Sequence, residues 1–354
     1  MASPLIVSQA DLTASHRYTR DHFVADQRFH GGFLEDDSYA PPRTLVRTPA
    51  IEAWCDALER RGWPLVDCSP TERPQDVFPS LDQQRFLFSH NVRQSFWDEL
   101  TIIAVNEGRG EAMCYVNPIA LQEIIEEGIS ETITGHLWKG LFWAHGVDEA
   151  GDRSTPDIGG HKHMWLAARD LLFGKDAFFP PPPVPRMHSR PKMQPREIPV
   201  LAQDVEKLFE SCMAVLHVEC RAYAHFKLCL DLCREPHLFD RPADDVRLAA
   251  EIIARIQEDE ASHVAYLRGL YSELRSFTFR DGVGGRWQGA DLLDPIWERQ
   301  LAWPDLQARA QRRAHTMGVI EAEARAKLGS ARAGTVINDM RSLASEREGV
   351  PAGA

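Results

Sequence analysis

The sequence predicts an all-α protein, a helical bundle with extra helices at its N- and C-terminal ends. Long stretches place apolar residues at helical spacing, most plainly in Ile252–Tyr271, "IIARIQEDEASHVAYLRGLY". Caps, prolines and glycines sit where such helices should start and stop. No segment reads convincingly as a strand.

Residues 1–88 mix turn residues with short apolar pieces and read as an irregular cover carrying one helix near 49–61. A bundle is expected over 89–280. Its first stretch, "SHNVRQSFWDELTIIAVNEG", opens on Ser89 as a cap and closes at Gly108. Next, Asn117, Pro118 and Gly146 bracket one long helix of about eight turns. Residues 157–174 form a second candidate helix. The eight prolines between 180 and 199 then forbid regular structure and fit a stiff crossover. A third long helix stops at Pro236, and a fourth follows Pro242 with an acidic first turn suited to the helix dipole. Residues 281–354 should give a glycine-rich loop, a helix near 303–328 and a frayed tail.

Composition narrows the function. With 354 residues, 44% of them hydrophobic, the chain can bury a large core. A formal charge of −12 without a basic patch argues against a nucleic-acid surface. No apolar run reaches the roughly 18 residues of a membrane span. The N-terminus lacks a signal-peptide pattern, so a cytoplasmic setting is expected. Seven scattered cysteines suggest reduced thiols rather than a disulfide framework.

The chemistry lies in polar residues on apolar stripes. On the fourth helix the stripe runs Ile252, Ile256, Glu260, His263, Leu267 and Leu270. The third has Leu208, Cys212, Val215, Glu219, Ala222 and Phe226 on one face, and the first core helix has Ile124, Glu127, Glu131, Thr134 and Trp138. Ionised carboxylates facing one another in a core cost several kcal/mol each, so a cation should sit among them. A metal fits, and so does a satisfied hydrogen-bonded core pair.

Glu-x-x-His on one helix face resembles the ferritin-like di-iron carboxylate superfamily, whose helices carry Glu, Glu-x-x-His, Glu and Glu-x-x-His in turn. "DEASH", Asp259 to His263, matches the fourth-helix motif, and the resemblance covers roughly 117–278. Among soluble oxygenases it is distantly similar to the p-aminobenzoate N-oxygenase type. It implies metal ligation by Glu131, His163, Glu219, Glu260 and His263, with Glu131, Glu260 and His263 as the catalytic set. Glu127, His161 and His225 are reserve ligands. In "GGHKHMW" Gly160 occupies the position of the second-helix Glu, leaving room beside the metals; His161 lies 200° from His163, so one face cannot present both. The implied cofactor is a pair of irons, with manganese as the alternative, and the implied activity is oxidation of a small organic substrate by dioxygen. Trp138, Phe142, Trp165 and Phe226 would shape the pocket. An external electron donor and a homodimer are compatible with this reading. The rival expectations are a haem-oxygenase-like di-iron oxidase, loosely echoed in "ECRAYAH", and a metal-poor helical binding or scaffold protein.

Overall fold

The computed structural model describes residues 5–71, 77–181, 196–302 and 306–348. It is 64% helical and 7% strand, so the class is mostly α. The few strands nevertheless correct the expectation of none.

In the N-terminal segment, helix α1 (Gln9–Leu12) starts at a Ser8–Asp11 capping box. Strands β1 (Arg20–Val24), β2 (Gln27–Phe33) and β3 (Tyr39–Ala40) follow as an antiparallel set. Helix α2 (Arg47–Arg60) lies close to the expected 49–61. Helix α3 (Leu81–Ser89) is capped by Ser80, and α4 (Gln94–Glu107) begins only after a break, so Ser89 ends one helix instead of opening the next.

The expected eight-turn helix from Asn117 to Gly146 does not form. A 3-10 segment at Gly108–Tyr115 leads to the short helices α5 (Leu121–Ile124) and α6 (Ile133–His136), and then to α7 (Leu141–Ala150). Apolar periodicity is present there, but glycines interrupt it. A Cβ on Gly135 would lie 1.9 Å from the Ile129 carbonyl oxygen, and Gly140 adopts φ 132°. The buried Glu273 carboxylate fixes the break by accepting bonds from Ile133 N, Thr134 N and Thr134 Oγ1 at 2.9–3.0 Å.

Strand β4 (Ile158–Gly159) pairs in parallel with β2. Helix α8 (His161–Phe173) follows immediately. The expected crossover falls largely on residues 182–195, outside the described residues. Helices α9 (Gln203–Cys233) and α10 (Ala243–Ser276) match the third and fourth long helices. Where a loop and one helix were expected there is a hairpin of β5 (Thr278–Arg280) and β6 (Arg286–Gln288), then α11 (Gly289–Ala302), α12 (Leu306–Leu328) and α13 (Ser330–Glu348). The start of the supposed frayed tail is therefore helical. No disulfide forms among the seven cysteines.

Helix α10 runs through the middle, packed on α8, α9, α11 and α2, while α4 packs on α8. Its length spans two large apolar clusters. Val246, Ala249, Ile252, Ile253 and Ile256 belong to one, shared with α4, α8 and the end of α9; Tyr266, Leu267, Leu270 and Leu274 belong to the other, shared with α2, α6 and the start of α9. Between them Asp259, Glu260, Ser262 and His263 are buried in a polar layer. Glu219 sits at the same seam on α9. The fold thus places carboxylates and imidazoles where two hydrophobic cores meet.

Leu267 is 1% exposed. Leu267→Ala should destabilise the protein by roughly 2–5 kcal/mol through loss of buried contacts and cavity formation. Chemical denaturation measures this, and a shift no larger than that of a surface substitution would show the stripe misassigned.

Candidate metal centre

Six carboxylates meet in the polar layer: Glu107 at the end of α4, Asp148 and Glu149 on α7, Glu219 on α9, and Asp259 and Glu260 on α10. Three imidazoles stand among them. His145 comes from α7, His161 from the first position of α8 and His263 from α10.

Each imidazole is held from outside at one ring nitrogen. His145 Nδ1 lies 2.7 Å from Tyr266 Oη. His161 Nε2 lies 3.2 Å from Asp259 Oδ2, which Tyr39 Oη also reaches at 3.1 Å and His30 Nε2 at 3.0 Å. His263 Nε2 lies 3.2 Å from Asp148 Oδ2, and Asp148 is clamped by Arg43 and by Arg47 Nη2, the latter at 2.7 Å. The opposite nitrogens point inward. His145 Nε2 is 3.5 Å from Glu219 and 3.6 Å from Glu149. His161 Nδ1 is 2.9 Å from Glu260 and 3.5 Å from Glu149, and His263 Nδ1 is 2.7 Å from Glu260 and 3.1 Å from Glu149.

Two overlapping sets of four donors result, His145–Glu149–Glu219–His263 and Glu149–His161–Glu260–His263, with His30–His161–Asp259 a third group of three beside them. Within each, one ligand atom per residue lies within 4.8 Å of all the others. His161 Nδ1, Glu149 Oε1 and Glu260 Oε1 are buried yet make no hydrogen bond of acceptable geometry. Buried polar atoms ordinarily meet in good hydrogen-bond geometry; these three face one another without it, which argues for a shared partner.

The electrostatics agree. Burial, then the Glu149 charge, pushes the Glu107 carboxyl well up; burial with Glu260 and Glu149 does the same to Glu219. Burial disfavours charge on His161 and His263, but neighbouring carboxylates, Glu260 foremost, outweigh it and hold both imidazoles well above their ordinary range. Burial and the His263 charge lower His145 to about 3. Burial opposes the Asp148 charge too, yet Arg43 and Arg47 keep that carboxyl well below its usual range. Six carboxylates less two guanidiniums leave four negative charges in the layer. Four protons, on Glu107, Glu219, His161 and His263, would balance them, and so would two divalent cations. The residues present therefore fit bound metal in both donor type and charge.

Of the residues singled out in the sequence, Glu219, Glu260, His263 and the reserve candidate His161 meet here. Glu131 does not: it is exposed on a turn before α6, because the helix that would have turned it inward is absent. Glu127 accepts bonds from Thr278 N and Oγ1, both at 2.9 Å, and so secures β5. His163 is half-buried and faces Gly151 and Gly159, on the side of α8 away from the cluster. His225 pairs with Glu99 at 3.1 Å. Trp138 and Phe142 belong to one apolar cluster, and Trp165 packs on Phe226 in the other, ring centroids 5.2 Å apart and tilted.

Glu107, His145, Asp148, Glu149, Asp259 and His30 were not singled out. "HGVDE", His145 to Glu149, was the available signal: an imidazole and a carboxylate one helical turn apart, obscured by reading Gly146 as a helix end.

Comparisons with protein-family models, curated proteins and solved structures find no match to this chain.

Gly160 is not inside a helix. It is the extended residue before α8, and a Cβ there would lie 2.5 Å from the Asp148 carbonyl oxygen and 2.6 Å from Gly151 N. The residue permits close backbone approach and does not open a gap beside the donors. Gly160→Ala should therefore cost roughly 1–3 kcal/mol through overpacking, measured as a lower denaturant midpoint. A variant as stable as the parent would overturn this account.

Proposed function

We propose that the chain is a non-haem oxygenase that uses a pair of iron ions and dioxygen to oxidise a small organic substrate. The observation that carries this reading is the orientation of the three imidazoles. Outer partners, Tyr266, Asp259 and Asp148, fix one nitrogen of each ring, and the other nitrogens converge on Glu149, Glu219 and Glu260. Metal-ligating histidines are oriented in this manner, since the outer bond sets the tautomer and raises the basicity of the ligating nitrogen.

The distribution over helices supports the same reading. Single glutamates come from α4 and α9, while α7 and α10 each supply a Glu and a His. This is the arithmetic of carboxylate-bridged metal pairs in helical bundles, with His145-x-x-x-Glu149 in place of one Glu-x-x-His and His161 added. Carboxylate and imidazole donors without thiolate suit iron or manganese. Iron held by such donors supplies redox chemistry toward dioxygen. This chain's part is to hold the ions and limit water. Glu149 and Glu260 lie in the middle of the donor set, while the Arg43–Arg47–Asp148 clamp keeps His263 facing inward. Phe142, Tyr266 and Leu267 on one side and Trp165 and Ile256 on the other supply buried apolar surroundings.

Elemental analysis of protein purified without chelator, followed by oxygen uptake after Fe(II) loading, tests the proposal. About two metals per chain are expected; none would remove it. His161→Ala and His263→Ala should each lose most bound metal, whereas His163→Ala and Glu131→Ala should keep it. Equal metal in all four variants would dissolve the assignment.

Asp148→Asn should weaken binding about 10–100-fold without removing a ligand, as loss of an outer-shell partner does. Isothermal titration measures it. Metal must displace protons held on Glu107, Glu219, His161 and His263, all raised above their ordinary values. Apparent affinity should therefore rise with pH, with protons released on loading. A flat profile would contradict this.

A further inference from the structure

We infer that the metal centre opens through a slot between α4 and α9, walled by Ile103 and Ala222, and that this slot admits a slender, neutral, mostly apolar molecule. The inference rests on the metal-centre reading above. It starts from which donors remain exposed. The side chains of His161 and His263 are fully buried, and those of His145, Glu149 and Glu260 are 2–7% exposed. Glu219 and Glu107 stand out at 11% and 15%. Among the donors, those on α4 and α9 are thus the ones that keep some exposure.

Helical spacing defines its walls. On α4, Glu99, Ile103 and Glu107 are each four residues apart and so share one face. On α9 the matching face carries Val215, Glu219 and Ala222, with His225 three residues further on. Glu99 meets His225 at 3.1 Å, while Glu107 and Glu219 both reach the cluster, so the two faces run antiparallel and oppose each other. Ile103 and Ala222 fall between those two crossings. Both pack on the apolar cluster yet are only half-buried, so solvent reaches each of them along this stretch. Alanine leaves space opposite isoleucine. Trp165 packs on Phe226 with its ring tilted, and its Nε1 is buried with no hydrogen-bond partner among the described residues.

Charge selects the occupant. Glu107 and Glu219 end the slot at a layer whose charge bound divalent cations would balance, and aliphatic walls penalise a charged occupant through desolvation. At the other end His225 is committed to Glu99, which Arg312 also faces. The walls between are aliphatic. A neutral molecule with a narrow apolar body satisfies them.

Cobalt-loaded protein gives a readout independent of turnover, because its visible absorption responds to molecules reaching the ions. Methanol, 1-butanol and 1-hexanol serve as probes of increasing length. The parent should respond to all three. Ala222→Phe should bind cobalt as the parent does but weaken the 1-butanol and 1-hexanol responses by about tenfold or more, equivalent to roughly 1.4 kcal/mol. Ile103→Ala should strengthen the 1-hexanol response. Normal cobalt loading with responses unchanged in both variants, or with no response in the parent, would overturn the slot and leave the metal centre standing. Failure of the parent to bind cobalt would overturn both.

Discussion

Asp148 is bound on one side by two guanidiniums and on the other by His263, and much of the structure around the polar layer depends on that clamp. Arg43 and Arg47 belong to the N-terminal segment, Asp148 to α7 and His263 to α10, so one network ties three distant stretches of chain together. A carboxylate buried this deeply is costly unless paired and hydrogen-bonded on every side. The two arginines meet that cost and leave His263 with one nitrogen occupied. Its other nitrogen has only the cluster to face. The same logic repeats at Asp259, held by Tyr39 and His30 from the strand region, which in turn orients His161. The N-terminal segment is thus a supplier of outer partners as well as a cover.

Much of the long-helix framework could be read from the residues because amphipathic period survives wherever a helix buries one continuous face. For α9 and α10 the stripes of Glu219 and of Glu260 with His263 pointed inward as the wheel required. The region 117–146 failed for a physical reason. Its apolar spacing is helical, but Gly128, Gly135 and Gly140 interrupt it, and the fold uses two of these for close approach and positive φ. Glu131 was lost with that helix. Choosing between His161 and His163 needed the helix start: Gly160 is the cap, so His161 leads α8 and turns toward the layer.

Glu107 and Glu149 were harder to see because they lie at the ends of their helices. Glu107 is the last residue of α4 and Glu149 is next to last in α7. At helix termini the apolar stripe has run out, so periodicity says nothing about which way a side chain turns. What turns them inward is tertiary: β4 pairs with β2 and brings Gly160 against the Asp148 carbonyl, which sets the end of α7 beside the start of α8. A local sequence window contains neither partner.

Placing the polar layer at the seam of two apolar clusters also settles how rigid it can be. Helix α10 crosses the seam without interruption, anchored by Ile252 and Ile256 before it and Leu267 and Leu270 after it. Glu260 and His263 are therefore fixed by packing on both sides, as donors must be to hold a defined geometry. Glu107 and Glu219 lack that double anchorage, since the faces carrying them stay half-exposed. A rigid half formed by α10 and α7 therefore meets a more open half formed by α4 and α9. Under the proposed function, the buried half would serve retention of ions and the open half access of a reactant.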